Sequence, residues 1–124
     1  MTTIAVVEDN PDNRLLLRAL LSDRYDLVEF DNGIDALAGL GASPPDLVLL
    51  DISLPGMDGN EILSRIRGDG CLRPLPVIAL TAHAMAGDRE KYLSAGFDDY
   101  ITKPIVDEMH LVAAIERWKT GRVS

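Results

Sequence analysis

Short apolar runs of strand length, each stopping at a polar residue and each followed by a longer stretch of helical periodicity, recur along the whole chain. They occupy residues 4–7, 27–30, 47–50 and 77–80, and a half-apolar run at 99–102 completes the series. Such alternation is the pattern of repeated βα units, which close into an open parallel sheet with helices on both faces. Five units of about 25 residues joined by right-handed crossovers give that architecture, whereas a closed eight-stranded barrel needs about twice the chain.

The punctuation agrees with this division. Asn10-Pro11 is an N-cap and N1 pair that opens a helix carrying Leu15, Leu16, Ala19 and Leu20. Asn32-Gly33 reads as a turn before a short helix with Ile34, Leu37 and Leu40 on one side, and the stretch 41–45 ends it with breakers. The run 47–50 is continuously apolar and stops at Asp51, as a central strand buried on both faces should. Its helix starts near Asp58-Gly59 and buries Ile62, Leu63 and Ile66. A helix with Tyr92 and Leu93 stops at Gly96, a natural residue after a helix end, and a last helix after Pro104 spaces Leu111, Val112, Ile115 and Trp118 as core. The half-apolar run 99–102 suits an edge strand.

At 124 residues the chain has room for one substantial core, so residues 1–124 are expected to form one domain. A formal charge of −8, from 20 acidic against 12 basic residues with no basic face, argues against direct binding to nucleic acid. No apolar run is long enough to span a bilayer, and Met1-Thr2-Thr3 leads straight into a strand; membrane insertion is not expected and the chain reads as cytoplasmic. The single Cys71 fits a reducing compartment, with no partner for a disulfide or a metal.

In an open α/β sheet, ligands sit beyond the carboxyl ends of the strands. The residues there are Glu8-Asp9 after the first strand, Asp51 after the third, Thr81 after the fourth and Lys103-Pro104 after the fifth, while Asp31-Asn32 after the second lies too far out. Carboxylates gathered at one sheet end repel one another and raise their own pKa values unless a cation joins them. An oxygen-only set of this size suits Mg²⁺, which prefers octahedral oxygen ligation and keeps several waters; Ca²⁺ wants more protein oxygens. Each residue also has a bland reading. Glu8-Asp9 could simply precede the helix, Thr81 could bond its own backbone in a turn, and Lys103 could be surface charge. Together, those readings require four coincidences at one rim.

These residues resemble the receiver domains of response regulators, CheY among them, over essentially the whole chain. The resemblance rests on Glu8-Asp9, on Asp51-Ile52-Ser53-Leu54-Pro55-Gly56-Met57-Asp58-Gly59, on Thr81-Ala82 and on Tyr100-Ile101-Thr102-Lys103-Pro104. It implies the flavodoxin-like strand order 2-1-3-4-5 with five helices. It further implies that Asp51 accepts a phosphoryl group from a histidine kinase, a histidine phosphotransfer protein or a small phosphodonor. Glu8, Asp9, Asp51 and the backbone carbonyl of Ser53 would hold Mg²⁺, and Lys103 would pair with a phosphoryl oxygen. Thr81 and Tyr100 would form the switch: the Thr81 hydroxyl moves to the phosphoryl group and the Tyr100 ring fills the space it leaves, remodelling the fourth helix, fifth strand and fifth helix.

The family also implies a small residue, Ala82, beside the site, backbone-shaping roles for Pro55, Gly59 and Pro104, a cis Lys103-Pro104 bond, and positions Ser53 and His83 that tune phosphate loss, with His83 at the rim. The chain is then a signalling switch with intrinsic autophosphorylation and autodephosphorylation rather than an enzyme. Residues 120–124 read as a tail with no output domain behind them, so output is expected through a downstream protein; the chain is either a stand-alone regulator, which the Met1 start favours, or a piece of a larger regulator or hybrid kinase, and the residues alone do not separate the two. Two other classes fit less well. A haloacid-dehalogenase-like phosphatase carries its nucleophile on the first strand in an Asp-x-Asp motif, where this chain has Ser53 two residues past Asp51; a degenerate receiver would lack an acidic residue or the lysine.

Overall fold

A computed structural model describes residues 2–54, 56–82, 88–103 and 108–119. The elements alternate without exception: β1 (Thr3–Val7), α1 (Pro11–Leu21), β2 (Asp26–Phe30), α2 (Gly33–Ala42), β3 (Leu47–Asp51), α3 (Gly59–Gly68), β4 (Val77–Thr81), α4 (Asp88–Ala95), β5 (Asp99–Thr102) and α5 (Glu108–Lys119). All strands are parallel, in the order β2-β1-β3-β4-β5. This is the expected five-stranded, flavodoxin-like α/β sheet.

Strand periodicity sorts the core into two layers. Ile4, Val6, Leu47, Leu49, Ile78 and Leu80 pack with Leu17 and Leu21 of α1 and with Leu111 and Ile115 of α5. Ala5, Val7, Val48, Leu50, Val77 and Ala79 pack on the opposite face with Ala36 and Leu40 of α2, Ile62, Leu63 and Ile66 of α3, and Tyr92 of α4. β3 and β4 are buried at every position, because helices cover both of their faces.

The caps are those the sequence dictates. The Asn10 side chain accepts from the Asp12 and Asn13 amides with Pro11 at N1, and Asp58 accepts from the Glu61 amide at the start of α3. Gly96, at φ +117°, takes the left-handed turn that ends α4.

Burial fixes the inward faces of two helices. In α1 the inward residues are Leu17 and Leu21, while Leu15 is 59% exposed and Leu16 lies on the outer side. In α2, Asn32 is the N-cap and Gly33 the first helical residue rather than a free turn; this rotates Ile34 outward to 71% exposure and brings Ala36 and Leu40 inward. Both helices carry apolar residues around much of their circumference, so periodicity alone left the phase open. Val28 on the edge strand β2 is also exposed. The expectations placed on Pro55, His83 and Pro104, including the cis bond, and on the 120–124 tail lie outside the described residues.

Candidate functional site

Sheet register assembles the site. Pairing of Val7 with Leu50 sets Glu8, one step further on, beside Asp51; pairing of Asp51 with Leu80 and of Thr81 with Thr102 brings Thr81 and Lys103 to the same rim. Backbone bonds hold the strand ends together: Ile52 N–H donates to the Leu80 carbonyl at 3.1 Å, and Lys103 N–H donates to the Thr81 carbonyl at 2.7 Å.

The side chains converge as the sequence implies. One carboxylate oxygen from each of Glu8, Asp9 and Asp51 falls within a cluster 4.8 Å across, with Glu8 and Asp51 buried and Asp9 exposed. Lys103 Nζ lies 2.7 Å from Glu8 Oε1 and 3.0 Å from Asp51 Oδ2. The Ser53 amide donates to Asp51 Oδ1 at 3.0 Å, orienting the carboxylate from the loop that follows β3.

Glu8 is the most constrained member. It is fully buried, and besides Lys103 it accepts from Asn13 Nδ2 at 3.1 Å and from the Asn10 amide at 3.3 Å. Arg14 donates to the backbone carbonyls of Glu8 and Asp9, fixing the turn that carries both. Burial, reinforced by a shared hydrogen bond with Asp51, pushes the Glu8 carboxyl up to about 7. Asp51 moves the other way: burial opposes its ionisation, but hydrogen bonds from Glu8, the Ser53 amide and Lys103 outweigh that and hold it below the usual carboxylate range. The asymmetry leaves Asp51 as the anion of the pair, with its charge balanced by Lys103.

Donor chemistry fits a divalent cation. The trio supplies hard oxygen atoms only, gathered at one rim of the sheet beside a single ammonium. Both oxygens of Glu8 and both of Asp51 already have hydrogen-bond or ion-pair partners, while Asp9 is the exposed member of the trio.

Thr81 is buried, and its hydroxyl lies 2.8 Å from that of Tyr92 on α4. The Tyr92 ring in turn packs against Tyr100, centroids 5.7 Å apart at 41°, and edge-on to Phe97 at 6.2 Å. Tyr92 was legible only as a helix residue; nothing local in the sequence couples it to Thr81. Asn13 was also missed, although a polar residue in the first turn after a capped strand end is well placed to reach back to that strand.

Residues 4–116 match the response regulator receiver domain family. The chain belongs to that family. Receiver domains are phosphoaccepting switches of two-component signalling that work with histidine kinases or phosphotransfer proteins; they are not classical enzymes. Among relatives, the sensor histidine kinase GacS of Pseudomonas protegens is 43% identical over 119 residues, covering 93% of this chain and 13% of the kinase. The chain thus spans about an eighth of the length of the kinases it matches. The response regulator DivK of Brucella anthropi is 41% identical over 104 residues, 83% of this chain and 85% of the relative.

Solved structures agree in shape. The receiver domain of sensor histidine kinase PA1611 from Pseudomonas aeruginosa, with magnesium coordinated in its active-site cleft, is 37% identical over 96% of this chain and 98% of its own, with a TM-score of 0.87. The manganese-bound form of response regulator Rcp1 is 27% identical over 100% of this chain and 98% of its own, with a TM-score of 0.80.

Proposed function

We propose that residues 1–124 act as one cytoplasmic receiver domain in which Asp51 is the phosphoacceptor. The observation that carries this reading is the placement of an ionised, oriented Asp51 between the Lys103 ammonium and the acidic pair Glu8-Asp9. A carboxylate oxygen of Asp51 attacks the phosphorus of a phosphohistidine on a histidine kinase or phosphotransfer protein. The new P–O bond forms as the P–N bond breaks, and the imidazole leaves with a proton. Lys103 pairs with a phosphoryl oxygen, and the Ser53 amide holds the acceptor in line.

Glu8, Asp9, Asp51 and the Ser53 carbonyl would hold Mg²⁺, which, when bound, offsets the charge spread over the transferring oxygens. Small phosphodonors serve in place of phosphohistidine, and the acyl phosphate is lost by slow self-catalysed hydrolysis. While the acyl phosphate is in place, the Thr81 hydroxyl engages the phosphoryl group and Tyr100 follows it, so that α4, β5 and α5 present a changed face to a downstream protein. The net charge of −8 supports output through protein contacts rather than nucleic acid. A free, exposed Cys71 supports a reducing compartment.

Incubation with acetyl phosphate and Mg²⁺, followed by intact-mass measurement, tests the reading. A labile gain of one phosphoryl group by the native chain but not by Asp51→Asn is expected. An equal gain by both, or none by the native chain, would overturn it.

A further inference from the structure

We infer that Tyr92 is a positioning residue of the switch, a latch on α4 that holds the Thr81 hydroxyl in its unphosphorylated position and couples that hydroxyl directly to Tyr100; the inference rests on the assignment of Asp51 as phosphoacceptor and Thr81 as its sensor. Three contacts made by one side chain support it. The Tyr92 hydroxyl lies 2.8 Å from Thr81 Oγ1, its ring is in tilted contact with Tyr100 at 5.7 Å, and the same ring forms a T-shaped pair with Phe97. Tyr92 and Thr81 are both almost completely buried, so their mutual hydrogen bond is made out of water, where losing it is costly.

The direction of the effect follows from which state makes the bond. Unphosphorylated, Thr81 Oγ1 sits against the phenol. When that oxygen moves to a phosphoryl group, its bond to the Tyr92 phenol is broken, and the Tyr92 ring, in contact with Tyr100, carries the change to that residue. The bond therefore favours the resting arrangement, and breaking it transmits the state of Thr81 to two elements at once. Because the phenol joins α4 to the end of β4, the helix responds to phosphorylation through a covalent member of its own sequence rather than through space vacated beside β5 alone.

Tyr92→Phe removes the hydroxyl and keeps the ring, so it isolates the latch. In the unphosphorylated variant, the amide resonance of Thr81 and the ring resonances of Tyr100 are expected to move along the line towards their phosphorylated positions. The rate of phosphoryl gain from acetyl phosphate should rise by roughly three- to tenfold, the range one hydrogen bond supplies to a two-state equilibrium, with Mg²⁺ affinity unchanged. A phenol that only fills the core would lower the melting temperature and leave those resonances in place. Resonances that stay put, with a rate within about twofold of the native chain, would overturn the latch.

If the native chain gains no phosphoryl group, the Asp51 assignment falls and the latch with it; if it gains one while Tyr100 is unmoved in Tyr92→Phe, the latch alone falls. Should Tyr92→Phe fail to fold, 3-fluorotyrosine at position 92 of the otherwise native chain gives a second reading. Its fluorine resonance is expected to shift on phosphorylation, and an unchanged resonance would overturn the proposal.

Discussion

Lys103 Nζ stands 3.0 Å from Asp51 Oδ2, a direct ion pair between the last strand and the central one, closed across β4. Because the same ammonium also contacts Glu8 at 2.7 Å, Lys103 balances the buried pair before any metal arrives. Lys103→Gln should therefore lower the rate of phosphoryl gain by about 100-fold, the loss typical for removing one donor from a developing anion. Mg²⁺ should still bind, since the three carboxylates remain. Metal titration followed by acetyl phosphate kinetics separates the two effects; equal loss of both would show that the lysine only holds the site together.

A carboxyl raised to about 7 in the fold, against an ordinary value of 4.5, makes Glu8 a source of pH dependence. The folded chain holds this proton more tightly than the unfolded one. Its contribution to stability is thus complete below pH 4.5 and is lost as pH rises through about 7. The lowered Asp51 acts in the opposite sense only below its ordinary value, outside that window. Metal-free protein should melt at progressively lower temperature between about pH 5 and pH 8, Mg²⁺ should restore it, and Glu8→Gln should flatten the slope. A flat melting profile for the native chain would show that Glu8 ionises freely.

Gly59 opens α3 directly beneath the acceptor strand. A Cβ there would meet the Asp51 carbonyl oxygen at 2.6 Å and Ile52 Cα at 2.8 Å, both backbone atoms that cannot rotate aside. Gly59→Ala should cost about 1–3 kcal/mol and slow phosphoryl gain by moving the acceptor loop. Gly41→Ala, where a Cβ meets nothing within 4 Å, is the control and should be neutral or slightly stabilising. Chemical denaturation of both variants checks the contrast.

Arg67 ties the end of α3 to the connections that enter β4 and β5. Its guanidinium donates to the carbonyls of Gly96, Arg73 and Leu75 and pairs with Asp98, whose Oδ2 also accepts from the Val77 amide. Arg67→Met keeps the stem and removes these donors, so a loss of about 2 kcal/mol is expected. Mg²⁺ affinity should not change, because none of these partners belongs to the acidic trio. Denaturation and metal titration of the same variant measure the two quantities.

Much of this was legible because the residues that specify the fold also specify the site. Continuous apolar runs ending at Asp51 and Thr81 marked both the central strands and the chemistry at their ends, and the register then required Glu8 and Lys103 to arrive at the same rim. The phases of α1 and α2 were less legible: apolar residues such as Leu15 and Ile34 lie on faces that no element covers, and composition does not distinguish them from Leu17 or Ala36. Tyr92 escaped notice for a different reason. Its partner Thr81 is fixed by strand pairing while its own position is fixed by helix packing, so their meeting is tertiary and leaves no trace in local spacing.

Treatment of the freshly phosphorylated chain with borohydride reduces an acyl phosphate to the alcohol and so converts an aspartyl phosphate to homoserine; peptide mapping then reads the modified position. Homoserine at position 51, formed only when Mg²⁺ was present during phosphorylation, is the predicted result. Homoserine at another residue, or an unchanged Asp51 in protein that had gained a phosphoryl group, would contradict it.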